Sequence, residues 1–181
     1  MATSCHVFIA TSIDGFIARN DGSIDWLEEA NSHIPDGQDC GYSNFFSQMD
    51  CIIMGRKTFE KVLSFVNWPY GDKKVFVMSR QKFILPHSTP TSVTLTKESP
   101  EQLIDRLQSS GIKKAYVDGG QTIQSFLESN LIADLTITRI PIILGEGIPL
   151  FGRLSSDINL KLKASRSWSF GFVQDHYCIS E

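Results

Sequence analysis

The sequence lacks any long apolar run. Its uninterrupted apolar stretches are short, such as Cys51 to Met54. None approaches the ~20 residues of a membrane span, so no membrane partner is expected. It also lacks a strong charge of one sign: the net charge is −3 and the pI near 5.8. That excludes the broad basic surface nucleic-acid binding needs, so any anion site must be local. Cysteine is sparse. Cys5, Cys40, Cys51 and Cys178 form no CxxC pair, and the histidines do not stand at metal-ligand spacings. The expectation is four unpaired thiols, a reducing compartment and no metal. The start, "MATSCHVFIATS", lacks basic residues ahead of its apolar segment. This argues against a secretory signal and for a cytoplasmic protein.

What is present is ordinary in amount and informative in order. Hydrophobic residues make up 41% and charged residues 20% of 181 positions, as in one soluble domain over residues 1–181. No repeat, low-complexity tract or long linker interrupts it. Strand-like runs rich in Val, Ile and Thr fall at 6–11, 51–55, 74–79, 92–96, 114–119 and 134–140. The C-terminal part alternates apolar and polar residues and breaks at Ser169 to Gly171, which predicts an antiparallel hairpin. Between the strands lie helical stretches. In "SPEQLIDRLQSSG", Ser99 is a cap, Pro100 takes the first helical position and Gly111 stops the helix. "RKTFEKVLSF" and "GQTIQSFLESN" carry apolar residues at helical spacing. Strands alternating with helices predict an α/β fold, a mostly parallel central sheet flanked by helices, with the hairpin as an antiparallel edge.

In such sheets ligands bind beyond the carboxyl ends of the strands. Three predicted strand ends carry anion-receptive residues. Gly55-Arg56-Lys57-Thr58 opens a helix, where unpaired backbone N–H groups and the positive dipole end face outward. Ser79, Arg80 and Lys82 follow a second strand, and Gly119-Gly120-Gln121-Thr122 leads from a third into a helix. "GGQT" lacks the third glycine of a GxGxxG fingerprint, so an ordinary Rossmann site is a poor match. Two basic clusters with a glycine-lined helix start suit a dinucleotide with three phosphates, which favours NADPH over NADH.

"VFIATSIDGFIARNDGSIDW", "IIMGRKTFE", "KVFVMSR", "VDGGQTIQSFL" and "LTITRIPIILGEGIPLF", in that order, resemble the dihydrofolate reductase superfamily over nearly the whole chain. The resemblance implies an NADPH site at the matching positions. Ala10 and Ile17 would hold the nicotinamide carboxamide. Gly55, Arg56, Lys57 and Thr58 would bind phosphate. Ser79 and Arg80 would flank the adenine ribose and its 2′-phosphate. Gly119, Gly120, Gln121 and Thr122 would form the pyrophosphate turn.

The resemblance also implies one carboxylate at a helix start that serves the heterocyclic substrate. Its candidate is Asp39; on a helix, Asp39, Tyr42, Ser43 and Phe46 share one face, placing a carboxylate beside two aromatic rings. The competing reading makes Asp39 a plain helix cap, with Asp36 as the alternative carboxylate. Trp26 and Thr138 match substrate-side positions, although a core tryptophan and a strand threonine need no such role.

Two branches of the superfamily compete. Resemblance to the folate-reducing branch implies an arginine for the substrate's glutamate tail, just after the proline–glycine turn. Here Asp72 stands at that place, followed by Lys73 and Lys74. An acidic residue repels a carboxylate, and lysine lacks the bidentate fork. "SIDGFIA" and the "VDGGQTIQSFL" to "GIPLF" stretch look closer to the reductase domain of riboflavin biosynthesis and its stand-alone relatives. No H-x-E with P-C-x-x-C signature is present, so the chain is not the bifunctional deaminase–reductase. The expectation is an NADPH-dependent reductase of a small pterin- or pyrimidine-like heterocycle. Dihydrofolate reductase proper is the alternative, and a non-catalytic dinucleotide-binding protein the alternative of another class. The resemblance allows a homodimer without dictating one.

Overall fold

The computed structural model describes residues 2–180. Its main sheet contains β1 (Ser4–Thr11), β3 (Cys51–Gly55), β4 (Lys74–Met78), β5 (Val93–Thr96), β6 (Lys114–Asp118), β7 (Ile132–Arg139), β9 (Leu160–Ser167) and β10 (Val173–Ile179). The order across it is β5-β4-β3-β6-β1-β7-β10-β9. The run from β5 to β7 is parallel, while β10 is antiparallel to both β7 and β9. The expected hairpin is therefore present, and its second strand also seals the parallel part of the sheet. A separate two-stranded ladder joins β2 (Phe16–Ala18) to β8 (Ile148–Pro149).

The central strands are apolar without interruption because both of their faces are covered. In β3, Cys51, Ile52, Ile53 and Met54 have no exposed surface. Alternation divides them between two cores. Ile53 and Val117 pack with Leu103 and Leu107 of α4 (Pro100–Ser109) and with Ile123 and Phe126 of α5 (Gly120–Glu128). Ile52, Met54 and Tyr116 pack on the opposite face with Phe59 and Val62 of α3 (Arg56–Leu63). Phe45 and Phe46 of α2 (Tyr42–Ser47) border that second core. A third, smaller core places Trp26 of α1 (Asp25–Asn31) with Ile140 and Phe172.

Helix α4 starts as its sequence dictates. The Ser99 side chain accepts from the Gln102 amide, and the Gln102 side chain returns a bond to the Ser99 amide. The far edge is different: all eight residues of β9 are exposed. Among the described residues, no helix is long and apolar enough to cross a membrane.

Candidate functional site

Because β3, β4 and β6 run parallel and side by side, their carboxyl ends open on one edge. Gly55 is in register with Met78, and Met54 with Asp118. The three glycine-rich or basic stretches read from the sequence therefore leave the sheet together.

Two helix starts interlock there. A β-carbon on Gly55 would lie 2.9 Å from the Thr122 hydroxyl of α5. One on Gly119 would collide with the Thr58 hydroxyl of α3, and Gly119 has a φ of +88°, which side chains rarely adopt. Each helix thus leans its threonine on the other's glycine. Neither α3 nor α5 has a side-chain cap, in contrast to α4. Their first-turn N–H groups are left for an external acceptor, and the helix dipoles favour a negative one. Gly120 extends the surface: a β-carbon on it would sit 3.0 Å from Ile17 Cδ1 and from the Pro149 carbonyl oxygen. A long, thin anion can pass where side chains cannot. These residues fit a dinucleotide pyrophosphate on the shape and the uncapped donors alone.

Basic side chains flank this cradle. The Arg56 guanidinium donates to Glu60 Oε1 at 3.1 Å and to Gln81 Oε1 at 3.3 Å, and lies 5.7 Å from the Phe83 ring centroid. It therefore leans from α3 toward the segment after β4. Lys57, Arg80 and Gln121 are exposed. Ser79 is half-buried, with its amide on the Thr96 carbonyl and its hydroxyl on the Gln81 carbonyl.

Farther along the edge, Ala10 and Thr138 are register partners on β1 and β7. The loop between β1 and β2 is fastened by Asp14, which accepts from the Ser12 hydroxyl and from the Leu144 and Gly145 amides. Those donors, Ser12 first, hold its carboxyl below the usual range.

The substrate-side residues require two corrections. The helix begins at Tyr42, so Asp39 does not share its face with Tyr42, Ser43 and Phe46. Asp39 is exposed, and its two oxygens accept from the Gly41 amide at 2.9 Å and the Ser43 amide at 2.7 Å. Ser43 foremost holds its carboxyl low, so it is a cap and a poor proton donor. Asp36 is exposed in the preceding loop. Trp26, in turn, is core, only 2% exposed. Its indole N–H is nonetheless buried without a partner, an orphan donor that a ligand or bound water would satisfy. Tyr42 and Phe46 are half-buried and stacked, with centroids 5.6 Å apart. Thr138 is buried and accepts from Gln174 at 2.8 Å.

Sequence reading missed Asp118. It ends β6 two residues after Tyr116, so both point to the α2–α3 face. One oxygen accepts from the Gly119 amide at 2.8 Å. Burial nonetheless pushes its pKa from 3.8 up to about 6, against the pull of the Gly119 amide and the Tyr116 hydroxyl. The charge of Asp118 in turn helps raise Tyr42 and Tyr70, whose shifts come first from burial. Asp118 joins the glycine-lined helix starts to an aromatic cluster, and its raised pKa lets it hold a proton nearer neutral pH than an ordinary carboxyl does. The available signal was a carboxylate directly before the paired glycine.

At the other end of the aromatic cluster, Asp72 is exposed. Lys73 turns inward: its ammonium donates to the Met49 carbonyl at 2.6 Å and lies 4.9 Å from the Phe46 ring centroid.

Comparisons with known proteins bear on the family and the fold. The profile of the RibD C-terminal domain family matches residues 4–173. The uncharacterised protein YwjB of Bacillus subtilis (strain 168) is 37% identical over 175 residues, covering 94% of this chain and 95% of that one. A crystal structure from Shewanella sp. PV-4, provisionally named a riboflavin biosynthesis protein, superposes with a TM-score of 0.91 at 39% identity and full coverage of both chains. The Thermotoga maritima diaminohydroxyphosphoribosylaminopyrimidine deaminase/5-amino-6-(5-phosphoribosylamino)uracil reductase shares the fold, with a TM-score of 0.72 at 15% identity. That superposition covers 99% of this chain and 57% of the Thermotoga one.

Proposed function

The chain belongs to the RibD C-terminal domain family, and from that premise we propose that it is an NADPH-dependent reductase of a small pyrimidine- or pterin-like heterocycle. The reaction named for the Thermotoga protein, reduction of 5-amino-6-(5-phosphoribosylamino)uracil, is the template for this reading. The observation that carries this reading is the reciprocal Thr58–Gly119 and Thr122–Gly55 contact, which sets two uncapped helix starts beside the Asp118 carboxyl.

The amides opening α3 and α5 bind the pyrophosphate. Arg56, Lys57, Ser79 and Arg80 take the adenine side, where a 2′-phosphate needs cations. Ala10, Ile17, Gln121 and Thr122 bound the remainder of the dinucleotide. Bound NADPH supplies a hydride. Reducing a C=N bond requires that hydride at carbon and one proton at nitrogen. Asp118 holds the proton on its carboxyl and is poised to give it near neutral pH. Tyr42 and Phe46 frame the flat ring, with Thr138 on the sheet. Folate reduction fits less well, because the tail-anchoring position is the acidic, exposed Asp72 and Lys73 is already occupied. The reading includes a cytoplasmic location, in keeping with the four free cysteines, and leaves room for a homodimer.

The test is NADPH consumption with 5-amino-6-(5-phosphoribosylamino)uracil and with dihydrofolate. Turnover of the first in clear preference to the second is expected. A protein that neither binds NADPH nor consumes it with either compound overturns the proposal.

A further inference from the structure

We infer that Gln174, on β10, is a positioning residue for the substrate wall: one side-chain amide holds the Asp39–Gly41 turn, and with it α2, against the sheet. The inference rests on the proposed reading of Tyr42 and Phe46 as a wall of the substrate site.

The Gln174 Nε2 donates to the Cys40 carbonyl at 3.0 Å and to the Thr138 hydroxyl at 2.8 Å. A carbonyl oxygen only accepts, so the amide must face it with its nitrogen. Both of that nitrogen's protons are then used, one on the turn and one on the sheet. Gln174 and Thr138 are register partners on β10 and β7, so the sheet end of this tie is fixed by the backbone ladder.

The turn needs such a tie. Cys40 has a φ of 52° and Gly41 one of 87°. Cys40 is one of only two non-glycine residues with positive φ among the described residues. That conformation persists only where neighbours enforce it. Helix α2 has six residues, too few to be stable alone. Behind it lies a cavity of about 310 Å³, lined by Asn44 and Phe45 of the helix, by the flanking Gly41 and Gln48, and by His6 and His176. With that side open, α2 is supported by its Tyr42 and Phe46 contacts in front, by Phe45 against Phe8 and Tyr116, and by Gln174 at its start. Loosening the turn would therefore displace the aromatic wall before the cofactor cradle, which stands on α3 and α5.

Gln174→Met keeps the length and removes both bonds; Gln174→Lys keeps a donor of similar reach. Two readouts separate this inference from the functional reading. The first is amide hydrogen exchange at Gly41 and Ser43, the donors to Asp39, in the full-length protein. The expected result is roughly tenfold faster exchange at those amides in Gln174→Met, as for loss of one or two neutral hydrogen bonds. Amides of α3 and α5 should be unchanged. The second is steady-state reduction of 5-amino-6-(5-phosphoribosylamino)uracil. Its KM should rise about tenfold with a smaller change in kcat, NADPH affinity should stay within about twofold, and Gln174→Lys should recover most of the loss. Unchanged exchange at Gly41 and Ser43 overturns the inference, even if the wild type turns over no substrate and the functional reading falls with it. Faster exchange with an unaltered KM overturns it too, because the turn would then be held without serving the substrate.

Discussion

Thr58 of α3 rests against Gly119 at the head of α5 so closely that any β-carbon at Gly119 would strike its hydroxyl. The contact makes the spacing of two helix starts a property of two side chains. Gly119→Ala combines that collision with an unfavourable backbone at φ +88°. It should cost about 2–3 kcal/mol and abolish NADPH binding. Thr58→Ala in the same chain removes the collision and should recover part of the melting temperature. Wild-type melting and NADPH titration curves for Gly119→Ala would refute the reciprocal packing.

Cofactor choice should reside in Arg56 and Arg80. Removing both loses two or more charge-assisted bonds to the 2′-phosphate, each worth about 1.5–3 kcal/mol. Arg56→Ala with Arg80→Ala should weaken NADPH at least about a hundredfold while changing NADH little. Fluorescence titration measures both. Indistinguishable curves for NADPH and NADH in the unmutated protein would sink the assignment.

Asp118 should trade stability for chemistry. Burial raises its pKa from 3.8 to about 6. Between those values the folded chain holds a proton that the unfolded chain has lost. Its contribution to stability is therefore present at low pH and is lost as pH climbs through 6. Asp118→Asn should melt higher than the wild type above that pH, by at most about 3 kcal/mol, with the advantage shrinking on acidification. Turnover should fall by roughly a hundredfold or more. Thermal melts across pH, paired with NADPH consumption, check both halves. An Asp118→Asn enzyme of normal rate would remove the proposed proton donor.

Asp39 should behave as the cap it is. Asp39→Ala leaves the Gly41 and Ser43 amides without their acceptor and should cost about 1 kcal/mol. Its carboxyl is held low, so the stability it provides is present above the ordinary carboxylate pKa and disappears as pH falls through the lowered value. Asp39→Asn, which can still cap, should keep turnover within a few-fold. A collapse of turnover equal to that of Asp118→Asn would return the substrate carboxylate to Asp39.

The parallel sheet was legible because its strands are continuous apolar runs ended by turn residues, as "CIIMG" shows by matching β3 residue for residue. The convergence of the glycine-led helix starts was legible for the same reason: Gly55 and Gly119 stand where strands become helices, and register then puts them on one edge. The substrate side was not. Helical spacing relates Asp39 to Tyr42 only if the helix already runs, and the helix starts at Tyr42. Asp118 carries no periodic signal, since its pKa depends on burial that only the folded chain supplies. Gln174 is more distant still, meeting Cys40 across 134 positions of chain. Local chemistry at strand ends survives reading in one dimension, whereas a wall assembled from β10, α2 and β6 does not.

The strand order also sets a timetable for synthesis. β1 is made first, yet its partners are β6 and β7, beginning with Ser4 on Lys114 and Cys5 on Ile132. Until those strands leave the ribosome, the opening segment has no place in the sheet. β3, α3, β4 and β5 can meanwhile pair among themselves, bringing out one half of the cofactor cradle ahead of the other. The seam at β6 then joins the early half to the waiting first strand, a closure over long sequence distance that slows folding. Thr58 meets Gly119 only at that step, so the proposed dinucleotide cradle is completed by a pairing of strands distant in sequence and not gradually.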